Sequence, residues 1–166
     1  MTPTSIGKAQ PPFPLPLLLL LGAVAPLLVA FASQYLGGLQ PCELCIWQRW
    51  GYGGTIVIGL ITLALPRRLK PWGAALTAIG FLTVAGLSLF HVGVEQHWWQ
   101  GLAACSGNLD THQSVADLEK QLMATPVIPC DRPAWTGFGI SMAGYDFLYA
   151  GLVGMVGLFL ALRSAR

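Results

Sequence analysis

Charged side chains are scarce in this sequence. Of 166 residues only 10% are Asp, Glu, Lys or Arg, against about 25% in an ordinary soluble domain. Nine basic and seven acidic residues cannot cover the surface of a water-soluble globule of this size, which excludes that class. A net charge of +2, carried by scattered Lys and Arg, excludes a basic footprint, so no nucleic-acid partner is expected. Internal repeats are absent, and compositional bias is confined to the Pro-rich residues 11–16. The length suits a single domain, 1–166, rather than two.

What the chain does have is long hydrophobic runs, at or near the roughly 20 residues that cross a bilayer. Leu15 to Ala32 carries no polar side chain and extends to Leu36 through Ser33, Gln34 and Tyr35. The second run, 46–65, has Arg49 as its only charge; the third, 71–94, has none; the fourth, 144–162, has Asp146 at its start. Backbone groups in hydrocarbon must be satisfied within their own segment. The expected fold class is therefore an all-α membrane protein, a four-transmembrane-helix bundle with spans 15–36, 46–65, 71–94 and 144–162. Glycines 51, 53, 54, 151, 154 and 157 would permit close helix contact.

Positive charge in short loops orients such a bundle. Lys8, Arg67, Arg68, Lys70, Arg163 and Arg166 fall on one side, which predicts both termini cytoplasmic. Loops 37–45 and 95–143 then face outward and hold most of the acidic residues. A competing reading takes Lys8, the first apolar stretch and Ala30-Phe31-Ala32 as a secretory signal. The length of that run and Pro14, Pro16 and Pro26 within it argue against this. The long outer loop needs a functional explanation. Ser114 before Asp117, with Val115, Leu118 and Leu122 on one face, predicts a short amphipathic helix over 114–124. Trp98, Trp99 and Trp135 suit the headgroup layer as anchors.

All four cysteines fall on the outer side, Cys42 and Cys45 in the short loop and Cys105 and Cys130 in the long one. In a bacterium that compartment permits disulfides. Cys42-Glu43-Leu44-Cys45 enters a helix N-terminus, where free N–H groups favour the thiolate that attacks a disulfide or an electron acceptor. A zinc site is the first competitor, but the second cysteine pair lacks the matching C-x-x-C or histidine spacing, so no metal is expected. Two inert structural disulfides are the second competitor. They leave unexplained the charge beneath the motif. Arg49 stands four residues after Cys45 and seven after Cys42, on the same helical face and inside a span, where an ionised residue is a functional candidate. The alternative is an arginine snorkelling to the headgroups. Asp146 is expected to complement the positive end of the fourth helix, and Glu43 to tune the thiols electrostatically. His97 and His112 have no assignable role.

Pro41-Cys42-x-x-Cys45-Ile46-x-x-Arg49, the four runs and the second cysteine pair resemble the bacterial disulfide bond formation protein B family over nearly the whole chain. The Trp98-Trp99, Cys105-Ser106-Gly107 and Pro129-Cys130-Asp131 surroundings are similar to a shorter-looped branch of it. The resemblance implies a multi-pass enzyme of the bacterial inner membrane, a protein-disulfide oxidoreductase. Such an enzyme reoxidises a soluble periplasmic thioredoxin-like disulfide oxidase and passes the electrons to a membrane quinone, ubiquinone or menaquinone. By position, the resemblance implies that the reduced partner attacks Cys105, that Cys130 is its disulfide mate, that Cys42 exchanges with Cys130, and that Cys45 faces the quinone. Arg49 matches the family's quinone-site arginine. His91 is implied near the quinone as a proton donor, with a packed or interfacial histidine as the alternative.

The redox arithmetic agrees. A partner disulfide at about −120 mV is regenerated only by an acceptor of higher potential, and a glutathione-type acceptor at about −200 mV would drive the reaction backwards. Two other functions fit the same residues. One is a related four-span thiol oxidoreductase dedicated to a particular substrate or to a vitamin-K-type quinone. The other is a non-enzymatic membrane scaffold stapled by disulfides.

Overall fold

An apolar run whose backbone must satisfy its own hydrogen bonds folds as a helix, and the described residues contain four long ones. The computed structural model describes residues 15–102, 105 and 128–166. Its helices are α1 (Leu15–Tyr35), α2 (Glu43–Ala64), α3 (Lys70–Glu95) and α4 (Met142–Ala165). A small antiparallel hairpin, β1 (Thr136–Gly137) and β2 (Ile140–Ser141), precedes α4. Three helices, α1, α3 and α4, are long and apolar enough to cross a membrane. The fourth, α2, has 22 residues and is more polar, with Glu43, Gln48 and Arg49 in its first two turns. The amphipathic helix expected over 114–124 lies outside the described residues.

The exterior is that of a protein whose solvent is lipid. All six tryptophans are exposed, as are Leu17, Leu18 and Leu21 on α1 and Leu152, Met155 and Phe159 on α4. A water-soluble monomer does not leave apolar surface of this extent uncovered.

Helix α3 is the centre of the bundle, packing on α1, α2 and α4. Its inner face is built of small residues, Gly73, Ala74, Ala75, Ala78 and Ala85, around the fully buried Phe81 and Val84. Small side chains let helix backbones approach, which is the main source of attraction between helices in lipid. A Cβ at Gly80 would stand 2.6 Å from Thr55 Oγ1 of α2, and one at Gly154 2.7 Å from Leu82 of α3. Of the glycines expected at contacts, Gly51, Gly154 and Gly157 do meet neighbours closely, whereas Gly53 and Gly54 have nothing within 4 Å. Those two project from α2 away from the other helices, a direction that the count of glycines alone does not reveal.

The helix ends have identifiable causes. Cys42 is the N-cap of α2, its Sγ accepting from the Cys45 N–H at 3.4 Å. Pro71 opens α3, where a missing N–H costs nothing. Ser141 caps α4 by accepting from Gly144 N at 3.1 Å. Within α1, Pro26 has no N–H to give the carbonyl of Gly22, and Tyr149 Oη of α4 donates to that oxygen instead at 2.9 Å. The hairpin turn passes through Phe138 and Gly139, both at positive φ (49° and 79°), as a two-residue turn between twisted strands requires.

Asp146 has a different place from the helix-end role expected of it. It lies beyond the first turn of α4 and is bound sideways, with Tyr52 Oη of α2 donating to Oδ1 and Ser88 Oγ of α3 reaching Oδ2, each at 2.6 Å. Burial decides this: a carboxyl group facing the bundle must take its donors from neighbouring helices.

Candidate functional site

The site is assembled where the first turn of α2 meets the last turns of α1 and α3. On α2 the residues Cys45, Gln48, Arg49 and Tyr52 recur at spacings of three and four, so they form one inward-facing polar stripe beneath the cap residue Cys42. Cys42 and Cys45 are free thiols, their sulfurs 3.0 Å apart, with Cys42 donating. Both precede the apolar run that begins at Ile46. The S–H donated by Cys42 holds the Cys45 thiol down to about 7; the Arg49 charge acts in the same direction and burial opposes both. That same donated bond, together with burial, pushes Cys42 up. Cys45 is therefore the sulfur that ionises first.

His91 of α3 lies across from this pair and is buried. Its Nε2 stands 3.5 Å from Cys42 Sγ and its Nδ1 3.2 Å from Gln48 Nε2. The backbone of Cys130 meets the same histidine. One turn further along α3, Glu95 brings Oε1 to 3.8 Å from His91 Nε2, while its buried Oε2 has no hydrogen-bond partner. Sequence reasoning missed Gln48 and Glu95. The α2 periodicity carries a signal for Gln48, and the i, i+4 spacing from His91 carries one for Glu95.

Arg49 is half-buried and is gripped by α1. Its Nη1 donates to Gln34 Oε1 and its Nη2 to the carbonyl of Ala30 at 3.2 Å, and the guanidinium lies 5.0 Å from the centre of the Phe31 ring. The carbonyl end of a helix favours a cation, and the planar fork satisfies two acceptors at once. This arginine is turned toward the last two turns of α1. The carboxylate of Glu43 accepts from Trp47 Nε1 at 2.9 Å, so it is engaged on its own helix.

Cys105 and Cys130 form a disulfide, with Cα atoms 5.2 Å apart. Both are buried, in one cluster with Cys42, Leu44 and Val94, against which Cys45 and Phe90 pack. The two cysteine pairs, far apart in sequence, thus share one apolar nest, one pair joined and the other not. His97 lies on the surface near Asp131, apart from this cluster.

Beside the thiols is a cavity of about 310 Å³. Cys42, Cys45, Arg49, His91 and Glu95 line its polar end, Tyr52, Asp146 and Tyr149 another wall, and Pro26, Val29 and Ala30 of α1 an apolar side. The volume is at the lower end of pockets that hold small molecules, about 300–1,000 Å³. An apolar cavity with a few convergent polar side chains suits a small, largely apolar ligand. A free dithiol and a disulfide thus stand beside a cavity of small-molecule size.

Comparison with known proteins agrees with this chemistry. The family model described as disulfide bond formation protein DsbB matches residues 13–160. The chain is 30% identical to disulfide bond formation protein B of Marinobacter nauticus, over 82% of this chain and 84% of that one. Against the protein of the same name from Verminephrobacter eiseniae it is 32% identical, over 90% and 85%. An uncharacterised protein of Rickettsia prowazekii is 31% identical over 80% of this chain and 77% of its own. No solved structure matches the chain. With a C-x-x-C dithiol at the start of one helix and a disulfide packed against it, this chain belongs to the DsbB family of membrane disulfide oxidoreductases.

Proposed function

We propose that the protein reoxidises a soluble periplasmic thioredoxin-like dithiol oxidase and passes the two electrons through its cysteine pairs to a membrane quinone. In this reading it sits in the bacterial inner membrane, with four spans and both termini cytoplasmic. The observation that carries the reading is the shared nest: a buried disulfide, Cys105–Cys130, packed with a free dithiol, Cys42 and Cys45, that borders an apolar cavity.

The exchange proceeds in balanced steps. A partner thiolate attacks Cys105 Sγ, and Cys130 leaves as a thiolate. The partner's second thiolate then attacks the mixed disulfide, and the oxidised partner departs, leaving the Cys105 and Cys130 thiols. The Cys130 thiolate attacks Cys42 in the Cys42–Cys45 disulfide and expels Cys45. Cys105 closes back on Cys130, and Cys42 leaves as a thiol. Cys45 is the better leaving sulfur because its thiolate is stabilised.

A bound quinone would supply the two-electron acceptor that lets Cys42 and Cys45 return to a disulfide. The residues that would hold it are Arg49, whose fork offers donors to a carbonyl oxygen, and the apolar flank of α1. His91, beside Cys42, is placed to take the proton that leaves with the second thiol. The free dithiol beside a cavity also weighs against a purely structural scaffold.

The test uses purified full-length protein, a reduced thioredoxin-like oxidase and a soluble quinone. Loss of quinone absorbance equal to the partner disulfide formed is the expected result. Partner oxidation with no quinone consumed, in the absence of oxygen, would remove the quinone from the reading.

A further inference from the structure

Cys42 Sγ, Cys45 Sγ and His91 Nε2 all lie within 4.8 Å of one another. Two thiols and an imidazole form a donor set that divalent zinc takes readily. The sequence argues against zinc because the second cysteine pair lacks ligand spacing, but the fold brings the third ligand from α3. Sulfur and nitrogen bonds of about 2.3 and 2.0 Å at a tetrahedral centre put S and N about 3.5 Å apart and two sulfurs about 3.8 Å apart. The Cys42–His91 separation is 3.5 Å and the Cys42–Cys45 separation 3.0 Å. The two sulfurs must part by several tenths of an ångström, and Cys42 is at a non-helical cap position.

Two further features fit a cation. His91 Nδ1 is paired with Gln48. With the Gln48 amide turned end for end, its carbonyl accepts Nδ1–H and Nε2 is left free to ligate, the outer-sphere arrangement typical of metal-bound histidines. Glu95 is the independent observation. Its side chain is 4% exposed, its Oε1 is 3.8 Å from the ligating nitrogen, and its Oε2 has no partner in the protein. Glu95 stands beside the histidine but outside the cluster formed by the three ligand atoms, so its carboxylate reaches the fourth position only by turning about its side-chain bonds. A dication also neutralises two thiolates in a low-dielectric setting, where unpaired charges are costly.

We propose that the reduced protein binds one zinc ion through Cys42, Cys45 and His91, with Glu95 at the fourth position, and that the bound ion holds the dithiol out of the electron relay. Binding displaces the two thiol protons and moves no electrons. A Cys42–Cys45 disulfide has no thiolates to offer, so the site exists only in the reduced state. The inference rests on Cys42 and Cys45 as a redox pair and not on the identity of the electron acceptor.

The test reads metal and spectrum, not turnover. Full-length protein in detergent, reduced and free of quinone, is titrated with Zn²⁺ and, as a spectroscopic probe, Co²⁺. The expected result is one equivalent bound, with thiolate-to-cobalt charge transfer and the visible bands of tetrahedral cobalt. Wild-type protein oxidised at Cys42–Cys45 should bind none, which gives a folded control without any substitution. Glu95→Gln should weaken binding tenfold or more, as loss of a ligand or its close support does, and His91→Ala should abolish the tetrahedral spectrum. Metal binding that survives oxidation, or binding that both His91→Ala and Glu95→Gln leave unchanged, overturns the proposal, as does no binding by the reduced wild type.

Discussion

Arg49 and Gln34 are joined across the α1–α2 interface, the guanidinium of one donating to the side-chain oxygen of the other. The charge beneath the thiols is thereby oriented by a second helix. Arg49→Gln should raise the apparent KM for quinone about tenfold or more, equivalent to about 1.4 kcal/mol, while Cys105 still reacts with the partner. Arg49→Lys should recover only part of this, since an ammonium cannot grip Gln34 and Ala30 and still present a planar fork. Gln34→Leu should move KM in the same direction by a smaller factor. Steady-state rates against quinone concentration decide, and full activity in the lysine variant would return Arg49 to a headgroup role.

A second prediction concerns pH. A thiol whose pKa is depressed is reactive above that pKa and loses reactivity as pH falls through it, so alkylation of Cys45 in the reduced protein should be half-maximal near pH 7. Removing the Arg49 charge should move that midpoint upward by about one pH unit, the scale of a nearby opposite charge. Mass-spectrometric alkylation rates across pH test both statements. A midpoint at the ordinary thiol value would mean that Cys42 does not donate to Cys45.

The two loop cysteines should behave differently from one another. Cys105→Ser should stop oxidation of the partner while Cys42 and Cys45 still react with quinone. Cys130→Ala should instead accumulate a mixed disulfide between Cys105 and the partner, because the resolving thiol is gone. Non-reducing gels would show the adduct. Normal turnover in both variants would make the Cys105–Cys130 bond a structural one.

Asp146 joins three helices, so its loss should be felt as stability. Tyr52→Phe removes one donor and should cost about 1 kcal/mol, the usual scale for a hydrogen bond between membrane helices. Asp146→Ala should cost more, because Tyr52 loses its acceptor and Ser88 is left with the Val84 carbonyl alone. Thermal unfolding in detergent provides the comparison, and identical Tm values for the wild type and both variants would remove the clasp.

Sidedness is tested by fusion. A reporter after Arg68 should remain cytoplasmic and one inserted near Thr111 should be exported. The opposite pattern would put the thiols on the reducing side and end the relay reading.

Some of this molecule was legible before any coordinates and some was not. The runs that become α1, α3 and α4 announce themselves through length and apolarity, and Arg49 through its local spacing from Cys42 and Cys45. Contacts across helices carry no such local signature. His91 lies 49 residues from Cys42 in sequence, Gln34 is 15 from Arg49, and Ser88 is 58 from Asp146, so their meeting depends on how the helices pack. Asp146 was misread for this reason: its position along α4 suggested an axial dipole, and its partners came from the side. The hairpin before α4 escaped because two-residue strands are too short to show alternation. Gly53 and Gly54 misled because a glycine shows where two helices are able to approach, not where they do.

The Asp146 clasp also bears on how the protein is made. An aspartate costs up to about 3 kcal/mol to move from water to the centre of the bilayer and less near the end of a span, where Asp146 stands one turn into α4. Tyr52 and Ser88 belong to helices synthesised earlier, so both partners are already made when α4 leaves the ribosome. Docking of the last helix against α2 and α3 then offsets the cost of carrying that carboxyl group into the bundle. A chain whose second and third helices have not yet come together would insert its fourth without those partners.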